Sequence, residues 1–154
     1  DVERSRGLGD VYKRQGMLVG SCLAGVSFLK GLGFVHAISH MIGAEFDTQH
    51  GLTNAIVLPA VLRYNLPSLE EKRHQMAHAL NIKNKTSDGF IKEIEVKLDR
   101  LNIPKSLSEI GVPLDCSSRI ADKAMLDSAA STNPVAGDAS DLRNLIEQAI
   151  NKAR

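Results

Sequence analysis

Neither sign of charge predominates in this chain: 19 Lys and Arg stand against 18 Asp and Glu, a net charge of +1. That balance gives no electrostatic footprint for nucleic acid and no surface suited to an acidic partner. There are only two cysteines, Cys22 and Cys116, far apart in sequence. They suit a reduced, cytoplasmic setting and do not make a disulfide framework. No apolar run is long enough to span a membrane, because Gly, Ser, His and Asn interrupt each one. No basic stretch followed by an apolar core marks a signal peptide. Strand-like alternation, internal repeats and low-complexity tracts are also missing. At 154 residues, with 43% hydrophobic and 24% charged positions, the chain has the composition of one globular domain with a real core.

Charge is also missing locally. Gly31–Ala44 contains no Lys, Arg, Asp or Glu, and neither does Thr48–Leu62. Yet this greasy region carries three of the five histidines: His36, His40 and His50. An imidazole removed from water must find a partner. His36 and His40 are four apart and share one helix face, a spacing that can present two nitrogens to a metal ion. His74 and His78 repeat the interval among Glu70, Glu71, Lys72 and Arg73, where they read as a solvated face. The spacing alone is therefore weak. Three histidines in a chargeless segment, with His50 beside Gly51 at the head of another apolar helix, point more strongly to a site.

The hydrophobic periodicity predicts an all-α fold. Gly16–Lys30 reads as a buried helix, Phe34–Phe46 as a second, and Gly51–Tyr64 as a third with Pro59 inside it, kinked or split there. Ser68-x-x-Glu71 has the capping-box pattern and opens a helix to Leu80. Amphipathic helices follow over Asp88–Leu101, Ser117–Asp127 and Asp138–Ala153. Gly31-x-Gly33 begins a dinucleotide-binding fingerprint, but His36 stands at its third glycine and a helix precedes it, so it reads as a helix break.

The stretch "GLGFVHAISHMIGAEFDTQHGLTNAIVLPAVLRYN" resembles the C-terminal helical domain of the iron-containing (group III) alcohol dehydrogenases. Their pattern runs approximately G-L-G-x-x-H-A-x-x-H-x-x-G-A, then H-G-x-x-N-A-x-x-x-P. The resemblance continues through "CLAGVSFLKG", "LNIPKSLSEIGV", "RIADKAMLDSAASTNP" and "DLRNLIEQAI", covering Gly16–Arg154. It implies a multi-helix bundle, the helical half of a two-domain fold shared with dehydroquinate synthase, whose α/β half binds NAD or NADP. By the same resemblance His36 and His50 match metal-binding histidines. His40 matches a histidine beside the nicotinamide and substrate, a catalytic and cofactor-binding position. Phe28 stands where an aromatic lines the substrate pocket. Met41 and Gln49 occupy positions where proline is frequent. The family's other two ligands, an Asp and a His, are expected upstream.

The implied parent is an NAD(P)-dependent enzyme that oxidises small alcohols or reduces aldehydes by hydride transfer assisted by Fe(II), with Zn(II) or Ni(II) also acceptable to imidazole ligands. A homodimer or larger homo-oligomer is the expected assembly. The alternatives are a hydroxyacid–oxoacid transhydrogenase of the same fold and a non-catalytic helical domain with buried histidines. A dehydroquinate synthase-like lyase fits less well, because Leu52-Thr53-Asn54 follows His50-Gly51 where that motif has Glu. Finally, Ser5–Gln15, "SRGLGDVYKRQ", matches the in-frame translation of a transposon-based sequencing adapter. Asp1–Gln15 is accordingly expected to be non-native and disordered or artefactual, and Gly16–Arg154 to be an inactive fragment of the enzyme.

Overall fold

The computed structural model describes Leu8–Asn151, and every regular element in that range is helical. The described residues form seven α-helices, several of them joined by short 3₁₀ turns: α1 Leu8–Ser27, α2 Gly33–Phe46, α3 His50–Asn65, α4 Glu70–Ala79, α5 Ser87–Arg100, α6 Ser117–Met125 and α7 Ala139–Asn151. The all-α class expected from the periodicity is observed. The chain divides into two compact units, Asp1–Gly31 and Leu32–Arg154.

The first unit departs from expectation. Expected as a buried helix from Gly16, α1 instead begins at Leu8, and its apolar side chains are exposed, Met17 by 75% and Leu18 by 72%. A single helix with one 3₁₀ turn, Phe28–Lys30, offers no second layer to cover them. Of the segment Asp1–Gln15, residues 1–7 lie outside the described residues and Leu8–Gln15 form the first turns of α1.

The second unit has a continuous core. Ile38 and Ile42 of α2, Ile56 and Val57 of α3, Ile120 of α6, and Leu142 and Ile146 of α7 are almost wholly removed from water. α2 and α3 form a helical hairpin because the chain reverses sharply between them. Asp47 takes the left-handed conformation at φ 51° and returns its N–H to the Gly43 carbonyl. Gln49 then caps α3, its side-chain oxygen accepting from the Leu52 N–H at 2.5 Å. Gln49, at a position where the resemblance leads one to expect proline, thus supplies a cap of its own. α3 passes through Pro59 as one continuous helix, with that ring buried. A smaller apolar cluster of Leu66, Ala77, Ile82, Phe90 and Ile91 seats α4 and α5 against the end of α3.

The capping box expected at Ser68-x-x-Glu71 does not form. Ser68 lies in a 3₁₀ turn and makes no cap; α4 starts after Leu69 without a side-chain bond. Thr86 caps α5 through the Gly89 N–H at 3.1 Å. At α7, Asp138 accepts from the N–H groups of Ser140 and Asp141, and Asp141 returns a bond to the Asp138 N–H at 3.0 Å.

The start of α2 is held from far away in sequence. Leu32 provides no cap. Instead Thr132 Oγ1 accepts from the Leu32 N–H at 3.1 Å and from the Gly33 N–H at 3.4 Å, and Asn133 Oδ1 accepts from the Phe34 N–H at 3.1 Å. Gly33 has φ +72°, and a Cβ there would meet Asn133 Oδ1 at 3.0 Å, so both conformation and space require glycine. This distant cap fixes the first turn of the helix that carries His36 and His40.

Candidate metal centre

α2 presents His36 and His40 on one face, and the hairpin returns His50 to the same place from the first turn of α3. The three rings form a nearly equilateral group. Centroids are 5.8 Å apart for His36 and His40, 5.2 Å for His36 and His50, and 5.4 Å for His40 and His50. Ring position alone does not distinguish the three. Their nitrogens do.

Asn54, one helical turn after His50, puts its amide nitrogen 3.0 Å from His50 Nε2 and 3.3 Å from His36 Nε2. Its carbonyl oxygen accepts from the Ser39 hydroxyl at 2.5 Å, which leaves the NH₂ group facing the two rings. A donor between two imidazole nitrogens is satisfied when both are unprotonated. The Nε2 lone pairs of His36 and His50 therefore both face the Asn54 amide, and both rings are in the neutral form that imidazole ligands of a divalent first-row metal require. Among the described residues no group of three or more His, Cys, Asp or Glu side chains is arranged to hold a metal ion. The donor set in this chain fits part of a coordination sphere.

His40 has a different partner. Its Nδ1 lies 2.9 Å from Asp127 Oδ2, just past the end of α6. Asp127 Oδ1 in turn accepts from the Ala129 N–H at 2.8 Å. Burial raises the pKa of the Asp127 carboxyl, but the bonds from Ala129 and His40 outweigh it and the net shift is downward. Neither Asp127 nor Asn54 was singled out from the sequence. Asn54 had a usable signal, its four-residue spacing from His50; Asp127 had none, being 87 residues from its partner. Phe28 belongs to the first unit and is 58% exposed. His74, within 3.8 Å of Glu70, and His78 lie on the exposed side of α4, as the surrounding charges implied.

Burial, then the charges of His50 and His40, lower the His36 pKa from 6.5, against the opposing pull of the Leu32 carbonyl and Asp127. An unfolded chain protonates this ring near its ordinary value, and the folded chain only at lower pH. Stability from this group is thus fully present above about pH 6.5 and falls as pH drops below it. Between pH 7 and 5 the Tm of the wild-type chain should fall more steeply than that of a His36→Asn variant. Parallel melting curves would show that His36 titrates normally.

Known proteins supply the comparison. The family model described as "Fe-containing alcohol dehydrogenase family, C-terminal" matches residues 4–150. The chain is 33% identical over 147 residues to the 1,3-propanediol dehydrogenase of Klebsiella pneumoniae, covering 91% of this chain and 38% of that protein. It is 30% identical over 148 residues to the NAD-dependent methanol dehydrogenase of Bacillus methanolicus, covering 92% and 39%. Among solved structures, a 1,3-propanediol oxidoreductase superposes with a TM-score of 0.72 at 32% identity, over 77% of this chain and 33% of that one. The chain spans between about a third and two-fifths of the length of these three proteins.

Proposed function

The chain belongs to the Fe-containing alcohol dehydrogenase family, and from that premise we propose that it is the helical, metal-binding part of an NAD(P)-dependent enzyme that oxidises alcohols or reduces aldehydes. The observation that carries this reading is that His36 Nε2 and His50 Nε2 both face the Asn54 amide nitrogen, at 3.3 and 3.0 Å. These two rings would hold Fe(II), with Zn(II) or Ni(II) also compatible with the nitrogen donors. When bound, the metal supplies Lewis-acid activation of the substrate oxygen.

The remaining functions fall to side chains of this chain. His36 and His50 offer nitrogens that accept from the Asn54 amide, and burial lowers the His36 pKa, which favours its neutral form. Asn54, bonded by the Ser39 hydroxyl, holds the two rings in register. His40, on the same face, is the group for the substrate and nicotinamide side, and Phe28 is assigned to the substrate pocket. The names of the relatives, an NAD-dependent methanol dehydrogenase and a propanediol dehydrogenase, support a small alcohol as substrate and NAD as oxidant. A domain whose histidines only fill a core is disfavoured, because His50 is exposed and the His40 side chain is 36% exposed. A homo-oligomeric whole enzyme, a cytoplasmic location and a non-native origin of Asp1–Gln15 belong to the same proposal.

The test is direct. Purified 154-residue chain, supplied with Fe(II), NAD and methanol or 1,3-propanediol, should form no NADH, because two imidazoles leave most of a metal's positions to water. It should bind Co(II) or Zn(II) weakly, through His36 and His50. A chain that bound no metal, or whose binding survived loss of both histidines, would overturn the assignment of the site.

A further inference from the structure

The pairing of His40 with Asp127 has a chemical consequence that the family match does not supply. An imidazole has two nitrogens, and the bond made by one decides what the other presents. Here Nδ1 faces Asp127 Oδ2 at 2.9 Å. An ionised carboxylate only accepts, so the proton must sit on Nδ1. The carboxylate is itself fixed: Oδ1 is engaged by the Ala129 N–H at 2.8 Å, and the side chain is only 13% exposed.

We propose that Asp127 is a positioning residue for the dehydrogenase reaction: it holds His40 in the Nδ1–H tautomer, which leaves Nε2 as a hydrogen-bond acceptor. The proposal rests on the functional reading above for its catalytic meaning, and on the hydrogen-bond geometry alone for the tautomer. A histidine left to solvent favours the opposite tautomer, with the proton on Nε2, which would make that nitrogen a donor. Asp127 therefore reverses the default polarity of the ring. It acts through His40.

Asparagine at 127 makes a discriminating substitution. The Ala129 N–H needs an acceptor, so an asparagine would give it the carbonyl oxygen and turn its NH₂ towards His40. Nδ1 must then accept, and the proton moves to Nε2. The shape of the side chain hardly changes while the polarity of the ring inverts.

The experiment is long-range ¹H–¹⁵N correlation spectroscopy of the histidine rings in the ¹⁵N-labelled 154-residue chain, about two pH units above the ordinary histidine pKa of ~6.5 so that the rings are neutral. The wild-type chain should show His40 protonated at Nδ1, and Asp127→Asn should exchange the roles of the two nitrogens while the His74 and His78 signals stay unchanged. A wild-type His40 protonated at Nε2 would overturn the proposal, as would an Asp127→Asn chain that kept the Nδ1–H form. An Asp127→Asn chain that lost its amide dispersion would also overturn it, assigning Asp127 to fold stability. Metal binding and NADH formation test the dehydrogenase reading separately, so either result can fail without the other.

Discussion

Replacing Asn133 by alanine is expected to lower stability by about 2–4 kcal/mol, the largest loss from any single uncharged side chain outside the apolar core. The side chain makes four hydrogen bonds. Its oxygen accepts from the Phe34 N–H and from Asn65 Nδ2, both at 3.1 Å. Its nitrogen donates to Asn65 Oδ1 at 2.9 Å and to the Val135 carbonyl at 2.7 Å. Truncation leaves the Phe34 N–H and both ends of the Asn65 carboxamide without these partners, and Phe34 and Asn65 are buried. A buried group stranded in this way costs about 1–3 kcal/mol, reduced where water can enter beside the half-buried Asn133. For a chain of this size the drop corresponds to roughly 5–15 °C in Tm. Thr132→Ala, which removes one hydroxyl cap from the neighbouring Leu32 and Gly33 N–H groups, should cost only about 1 kcal/mol. Thermal unfolding followed by circular dichroism measures both. An Asn133→Ala chain melting within a degree of wild type would show that the amide junction contributes nothing.

That junction also marks where the sequence stops being legible. α2, α3 and α5 were readable to within about a residue, because apolar spacing and charge placement are local properties. The three histidines were readable as a group because a chargeless segment makes each of them conspicuous. The glycine pair was readable as a helix break, and Gly31 and Gly33 take φ +94° and +72°. Asn133 and Asp127 were not readable, since each acts on a partner some 70 to 100 residues away and neither stands in a local pattern. Ser68-x-x-Glu71 failed for a related reason: the 3₁₀ turn at Leu66–Ser68 delays the start of α4 beyond the motif. The burial of α1 was misread because an apolar composition records what a helix prefers to contact and does not supply the contact.

The second large effect separates the histidines from one another. His36→Ala and His50→Ala should each weaken Co(II) or Zn(II) binding by the 154-residue chain by more than about 100-fold, since even partners outside the coordination sphere are worth about 10- to 100-fold. His40→Ala should leave the affinity within a few-fold of wild type. The expectation is not trivial. A carboxylate-supported histidine is also the usual form of a metal ligand, so the bond to Asp127 by itself would suit His40 to coordination as well. What places His40 outside the sphere is the aim of the nitrogens: His36 Nε2 and His50 Nε2 meet at the Asn54 amide, while no bond joins His40 to that point. Its ring lies 5.8 Å from His36 along the same helix, close to the ~6 Å rise of four residues. The double variant His74→Ala with His78→Ala keeps the four-residue spacing as a control and should change nothing, because α4 turns both rings to solvent. Isothermal titration of the four variants decides the matter. A His40→Ala chain that lost metal as completely as His36→Ala would make His40 a ligand, with Asp127 as the carboxylate behind it.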